Sequence, residues 1–318
     1  MMDKIKPQLF RGLTNIPSNF PGCVATIGKF DGIHFGHQAL IQQLIQKSRE
    51  LNLPSVLITF EPQPNEFFAQ QQAPVRLMQL REKYVALQSF NLDYLVCLRF
   101  NKKMAALSPE EFVQKILVEK LKAAYVLVGD DFHFGKNRAG DIAVLQREGK
   151  RCGFTAEAMP TYKIAGERVS TSRVRLALQA GDLQAAAQLL GRDYFMAGRV
   201  VQGNKRGRTI GFPTANILLH RSVPLAGVYV VKILGLSEKL LHGVANIGVR
   251  PTVDGTRHLL EVHIFDFDQD IYGKMITVAF VKKLRDEKRF ESFELLKEQI
   301  LKDAEEAKRY FLKYGEKI

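Results

Sequence analysis

Apolar residues recur with two different rhythms along this chain, and the switch between them constrains the fold more than any single motif. In the first rhythm, short apolar runs alternate with helical segments. "CVATI" at 23–27, "PSVLITF" at 54–60, "LDYLVCLRF" at 92–100 and "AAYVLVGDDF" at 123–132 read as strands. "GHQALIQQLIQKSREL" at 36–51 reads as an amphipathic helix, and "SPEEFVQKILVEKL" at 108–121 as another. In the latter, Ser108 is the N-cap, Pro109 opens the helix and Glu111 closes a capping box. Strands that alternate with helices predict a parallel sheet with crossover helices. A helical stretch, "TSRVRLALQAGDLQAAAQLLG" at 171–191, closes the region. The second rhythm starts with "YFMAGRVV" at 194–201 and continues through "GVYVVKIL", "HGVANIGV", "LLEVHIFDF" and "ITVAFVKKL". These short alternating runs, parted by glycines, predict an antiparallel barrel or sandwich. Phe293, Leu296, Ile300, Ala304, Ala307 and Phe311 lie three or four apart and predict one apolar face of a C-terminal helix.

Composition sets the bounds. A chain of 318 residues suits two domains of ordinary size, and 46% apolar residues supply a core for each. No apolar run reaches the ~20 residues that a membrane helix needs, and the opening "MMDKIKPQLFRG" lacks the apolar segment of a secretory signal. Cys23, Cys97 and Cys152 show no metal-binding spacing, which fits structural thiols in a reducing cytoplasm. The net charge of +13 is spread over both halves, with no basic tail. It suits anionic partners: nucleotides, phosphates or nucleic acid.

"GKFDGIHFGH" at 28–37 follows the first buried strand and runs into a helix. In an alternating α/β sheet this is where ligands bind, beyond the carboxyl end of a strand. Gly28, Gly32 and Gly36 let backbone approach a ligand closely. The helix that follows offers N–H groups and a positive dipole end to an anion. His34 and His37 add donors for phosphate oxygens on which charge develops. Zinc fits poorly, since no third ligand of suitable type stands nearby. In the second half, strand alternation puts Glu261, His263 and Phe265 on one face, opposite Val262 and Ile264. "GNKRGRTIGFPTAN" at 203–216 is glycine-rich and basic, yet it is not a Walker A loop.

These segments resemble the family of bacterial bifunctional riboflavin kinase/FAD synthetases. The first half carries "GKFDGIHFGH", "TFEPQP", "VGDDFHFGKNRAGD" and "VSTSRVR". The second carries "GRVVQGNKRGRTIGFPTAN", "GVANIGVRPTV", "LEVHIFDFDQDIYGK" and "LRDEKRFESFELLKEQI". The order is that of the family, and the likeness spans nearly the whole chain. One departure is His133, which stands where the family commonly has arginine in "DFRFG" and so bears on a charged phosphate contact there.

The resemblance implies an α/β Rossmann-like nucleotidylyltransferase domain over 1–185, the FMN adenylyltransferase (FAD synthetase). It implies an antiparallel β-barrel riboflavin kinase domain with a C-terminal helix over 186–318. Riboflavin and ATP would give FMN and ADP, and FMN with a second ATP would give FAD and pyrophosphate. The adenylyl transfer needs no general base, because its nucleophile is an ionised phosphate; it needs alignment and charge stabilisation. His34, His37 and Arg173 are the residues implied for that step, with Gly28, Phe30, Asp31, Gly32, Gly36, Asp131, Ser170, Thr171 and Ser172 around the ATP. The kinase step deprotonates a ribityl hydroxyl and calls for a carboxylate base, for which Glu261 matches the family's glutamate. Gly203, Lys205, Gly207, Arg208 and Gly211 would cradle this second ATP, and Thr214 and Asn216 would hold magnesium. Arg285 in "LRDEKRF" is implied as a flavin contact. The implied partners are small nucleotides and flavins, with neither nucleic acid nor membrane, in the cytoplasm. An adenylyltransferase for another acceptor and a non-catalytic RNA binder are the competing readings; Glu261 after "PTAN" argues against both.

Overall fold

The computed structural model describes residues 6–202, 212–219, 221–252 and 255–314. The chain divides into two compact units, Met1–Pro74 with Gln79–Ser170, and Val75–Met78 with Thr171–Ile318.

The first unit is built on six strands: β1 (Gln8–Arg11), β2 (Cys23–Ile27), β3 (Ser55–Glu61), β4 (Tyr94–Arg99), β5 (Ala123–Gly129) and β6 (Thr155–Met159). They pair in the order β1-β4-β3-β2-β5-β6, and every pairing is parallel. The crossovers carry α1 (Phe35–Glu50), α2 (Pro64–Ala69), α3 (Leu80–Leu87), α4 (Lys102–Ala105), α5 (Pro109–Phe112) and α6 (Ile142–Cys152). Helices on both faces explain why all five residues of β2 are buried, and why its sequence is a run and not an alternation. Ser108 caps α5 as the sequence predicts: Glu111 N donates to Ser108 Oγ at 3.1 Å, and Ser108 N to the Glu111 carboxylate at 3.0 Å. The turns after α5, Val113–Val118, widen into π-helical geometry. Cys23 and Cys97 lie in the core, and burial pushes the Cys23 thiol far up, so it is inert. A small hairpin, β7 (Lys163–Ile164) with β8 (Glu167–Arg168), ends the unit.

The second unit starts with α7 (Thr171–Gln179) and α8 (Leu183–Leu190), parted by Gly181 at φ +76. Then come β9 (Tyr194–Val201), β10 (Ala215–Leu219), β11 (Gly227–Leu234), β12 (Leu241–Thr252), β13 (Gly255–Ile264) and β14 (Met275–Arg285). They close a barrel in the order β10-β13-β12-β11-β14-β9, with all pairings antiparallel, which settles the choice between barrel and sandwich. Leu260, Val262 and Ile264 of β13 are buried and alternate with the half-exposed Glu261 and His263. α9 (Phe293–Lys313) lays Ala304, Ala307 and Phe311 on Val228, Val230, Val244 and Phe265. The apolar face expected from Phe293 onward is therefore buried only in its C-terminal turns: Phe293 itself is 48% exposed.

The compact units part at Ser170/Thr171, ahead of the boundary at 185 and of the change in sequence rhythm that is complete at 194. The reason is that α8 packs on β9 and β14, burying Leu183, Ala186, Leu189 and Leu190. A four-residue excursion, Val75–Met78, also belongs to the second unit. Arg175 Nε donates to Val75 O at 2.6 Å, Arg221 Nη1 to Arg76 O at 2.6 Å, and the Tyr194 hydroxyl to Leu77 O at 2.8 Å. Leu77 and Met78 are fully buried. Leu77→Ala is thus expected to destabilise the second unit by ~3 kcal/mol, as large-to-small core changes do. Hydrogen exchange reads this by unit: amides of the barrel strands should exchange faster, while those of β2, β3 and β5 keep their protection.

Candidate active sites

In the first unit the strand order reverses at β2, which has β3 on one side and β5 on the other. A crevice opens beyond the carboxyl ends at such a point. The loop after β2 enters it through three left-handed residues, Phe30 at φ +46, Gly32 at φ +86 and Ile33 at φ +45. Such a conformation is strained for Phe and Ile, at ~1–3 kcal/mol each. It is held by full burial of both side chains and by the Phe30 ring, which lies 3.0 Å from where a Cβ on Gly28 would be. His34 then caps α1, its Nδ1 accepting from the backbone N–H of His37 at 3.3 Å. A ring nitrogen that accepts carries no proton, so the N–H donor of His34 is Nε2. The His37 ring stacks on that of His34, centroids 3.7 Å apart and planes 15° apart, and also meets Phe30 at 5.1 Å. Gly36 leaves room for that ring: a Cβ there would stand 3.2 Å from His34 Cε1 and crowd it. Asp31 is buried within the same turn.

The loop after β5 lies at the other side of the reversal. Asp130 accepts from Thr161 N at 2.8 Å and from Thr161 Oγ1. Burial pushes its carboxyl up, but the Thr161 hydrogen bonds and the charge of Arg168 outweigh that and hold it below the usual range. Asp131 forms an exposed ion pair with Arg168 of β8. His133, the departure from the family pattern, donates through Nδ1 to Asp131 O at 3.0 Å, so its ring braces this turn. Ser170 ends the first unit, while Thr171, Ser172 and Arg173 form the first turn of α7 in the second.

In the barrel, three strands bring three polar residues into one row. Glu261 of β13 is the register partner of Asn216 in β10 and of Asn246 in β12. Cross-strand partners share a face, so Glu261 stands between two amides on the outer face, the one opposite Leu260 and Val262. Asn216 is buried, and its Nδ2 donates to Thr214 O at 3.2 Å. His263 donates through Nδ1 to Pro213 O at 2.9 Å, and its ring meets Phe212 at 4.8 Å. The "FPTAN" segment is thereby fastened to the strand that carries Glu261. Gly203, Lys205, Gly207, Arg208 and Gly211 lie outside the described residues. Arg285 grips Asp303 of α9 with Nε at 3.0 Å and Nη2 at 2.7 Å, which ties β14 to α9. Among the described residues, no three His, Cys, Asp or Glu side chains come together as metal ligands.

Sequence reasoning missed Asn246 and Glu287. Asn246 Nδ2 donates to Glu287 Oε1 at 3.4 Å, and the Glu287 carboxylate lies where a side chain on Gly248 would be. The signal was present in "GVANIG", where a polar residue and a glycine share one face of an otherwise apolar strand.

Comparison with known proteins agrees with this two-part layout. A family model described as FAD synthetase matches residues 16–173, and one described as riboflavin kinase matches 190–311. The bifunctional riboflavin kinase/FMN adenylyltransferase of Haemophilus influenzae is 48% identical over 305 residues, covering 96% of this chain and 99% of that one. Its counterpart in Escherichia coli strain K12 is 48% identical over 307 residues, covering 96% and 98%. That of Pseudomonas fluorescens is 49% identical over 304 residues, covering 95% and 97%. A crystal structure described as a macrolide-efflux protein from Streptococcus pneumoniae has a TM-score of 0.79 at 31% identity, covering 96% of this chain and 99% of that one.

The anchor at His263 has a pH signature. Burial lowers its pKa from the usual 6.5, the bond to Pro213 O raises it, Lys308 lowers it and Asp266 raises it; the net direction is down. The unfolded chain therefore binds more protons in the interval between the two pKa values, and stability rises with pH there. The contribution is complete above about 6.5 and is lost as pH falls through the folded-state value. Melting of the barrel unit should show this loss below about pH 6.5, and His263→Gln should flatten that part of the profile. An unchanged profile in the variant would assign the acid sensitivity to other groups.

Proposed function

The chain belongs to the family of bifunctional riboflavin kinases/FMN adenylyltransferases, and from that premise we propose which of its residues carry each reaction. It phosphorylates riboflavin to FMN with ATP, then transfers the adenylyl group of ATP to FMN, giving FAD and pyrophosphate. We take 1–185 as the adenylyltransferase domain and 186–318 as the kinase domain, a division supported by the two matched families, although by packing α7 and α8 go with the barrel.

For adenylyl transfer, the reading rests on the histidine stack at the mouth of α1. His34 and His37 stabilise the phosphates of ATP as charge shifts to the departing pyrophosphate, with the N–H groups of the α1 N-terminus as partners. Gly28, Phe30, Asp31, Gly32 and Gly36 shape that cradle. Asp131, Ser170, Thr171, Ser172 and Arg173 complete the ATP contacts. For Asp131 the supporting chemistry is a carboxylate suited to ribose hydroxyls.

For the kinase step, the single observation that carries the reading is Glu261 in register between Asn216 and Asn246. A carboxylate on a closed barrel strand is rigidly mounted, as a base for a ribityl hydroxyl must be. Thr214 and Asn216 would hold magnesium. Their neutral oxygens beside one carboxylate suit a hard cation that keeps waters and shares phosphate oxygens. Held there, such a cation would supply charge neutralisation at the transferred phosphate. Gly203, Lys205, Gly207, Arg208 and Gly211 keep their reading as ATP contacts on sequence grounds. Arg285 keeps its reading as a flavin contact on the resemblance alone, since its guanidinium is held by Asp303 and lies over the Phe290 ring, 5.8 Å from the centroid. Among the described residues no helix is long and apolar enough to cross a membrane. We assign the enzyme to the cytoplasm on its buried free thiols.

Both half-reactions measured on one preparation test these roles. Glu261→Gln should lower FMN formation from riboflavin by ~10²–10⁴-fold and leave FAD formation from supplied FMN unchanged. His37→Ala should do the reverse, with a loss of ~10²–10³ in adenylyl transfer. FMN production near the parent rate would remove Glu261 as the base, and undiminished FAD formation would remove His37 from the first site.

A further inference from the structure

A lysine lies beneath the histidine turn, in a slot that helical periodicity reserves for an apolar side chain. Lys83 shares the buried face of α3 with Ala86 and Leu87, at the i, i+3 and i+4 positions, and is only 1% exposed. Burying an ammonium is costly unless its donors are used. Here one bond goes to the Lys29 carbonyl and another, at 2.8 Å, to Thr59 Oγ1. Thr59, fully buried in β3, lies 3.3 Å from the same carbonyl through its hydroxyl. Two donors, one from β3 and one from α3, thus converge on a single backbone oxygen of the turn.

That oxygen matters because of where it sits. The peptide plane that carries the Lys29 carbonyl also carries the Phe30 nitrogen, so fixing the oxygen constrains φ of Phe30. Phe30 is the first of the three left-handed residues by which the chain turns back toward His34. A strained turn relaxes unless something over-determines it. The Phe30 ring packs against Gly28 on one side and meets His37 on the other, so a rotation of this plane would be transmitted to the histidine stack.

We propose that Lys83 is a positioning residue for adenylyl transfer: it clamps the Lys29 carbonyl, and through it holds His34 and His37 in catalytic register. This rests on the assignment of the two histidines to that reaction. The clamp acts on geometry and leaves the binding of flavin alone.

The test uses the full chain, whose riboflavin kinase activity is an internal control. Lys83→Met keeps the length of the side chain and removes its donors. A misplacement of this kind costs ~10²-fold in rate, so kcat for FAD formation should fall by that order. KM for FMN should stay within about twofold, and riboflavin phosphorylation should be unchanged. Lys83→Gln, whose amide can donate to the same carbonyl, should recover a large part of kcat. Thr59→Val should lose less than Lys83→Met, and the double variant should be no worse than Lys83→Met alone, because both act through one oxygen. A kcat in Lys83→Met near that of the parent overturns the proposal. So does a loss that Lys83→Gln fails to recover and that follows a drop in the melting temperature of the first unit, since that is plain destabilisation. Fully additive losses in Lys83→Met and His37→Ala would also overturn it, for the lysine would then act elsewhere. His37→Ala measured alone keeps the two readings apart: if it leaves adenylyl transfer intact, the histidine assignment fails independently of the clamp.

Discussion

The reversal of strand order at β2 is the constraint from which the first site follows. Crossovers leave β2 toward β3 and arrive at β5 on the other flank, so the loops beyond these neighbouring strands part company and leave a crevice. Connectivity delivers into that gap several of the groups proposed for the adenylyl chemistry. The loop after β2 brings the histidine pair and the helix N-terminus; the loop after β5 brings Asp130 and Asp131. The strain in the first loop is tolerable only because Phe30 and Ile33 are driven into the core while the glycines give way around them. Local discomfort is offset by burial, and the result is a pair of imidazoles with few alternative positions.

The barrel solves a different problem. Closing the sheet removes its edges and fills its inside with residues such as Leu260, Val262 and Ile264, which leaves only the outer face for chemistry. α9 covers one part of that face with Ala304, Ala307 and Phe311. The row of Asn216, Glu261 and Asn246 borders the covered patch, since Val228 of that patch is the register partner of Asn246. Polar residues on a closed strand have no freedom to drift, because a one-residue slip would turn Glu261 into the core. Position on the barrel therefore does for Glu261 what packing of a strained loop does for His37.

Much of this was legible in the sequence, and the exceptions have a common cause. β2, β3, β4 and β5 are apolar runs buried on both faces, whereas β13 and β14 alternate; both patterns are local, and β11 departs from alternation because α9 covers Val228 and Val230 on its outer face. β6 was missed because "TAEAM" is an exposed edge with one buried residue, and β10 because "ANILL" sits inside a motif that attracts attention for its ligands. Leu77 and Met78 read as part of the first half, since nothing in four residues announces which core they enter. Lys83 and Asn246 are polar residues in apolar surroundings, and their partners lie 54 and 41 residues away in the chain. His34, His37 and Glu261 could be proposed from sequence because chemistry limits the residue types that suit such roles. The hydrogen bonds of Lys83 and Asn246 could not be read so, because only the fold supplies the group each one holds.

The two reactions also explain why one chain carries two phosphate-binding motifs. The kinase step attacks the γ-phosphorus of ATP with a hydroxyl, and the adenylyl step attacks the α-phosphorus with a phosphate. In-line displacement requires nucleophile, phosphorus and leaving group to be collinear, and these two lines meet the triphosphate at different atoms and expel different groups. A single cradle would have to re-seat ATP by two phosphates between steps. The nucleophiles conflict as well. A hydroxyl gains from a carboxylate that takes its proton, whereas a carboxylate facing FMN would add a third anion to two that already repel. On the proposed assignment, neutral N–H donors at the mouth of α1 would answer the second need, and Glu261 on β13 the first. Separate cores let each geometry be held without compromising the other.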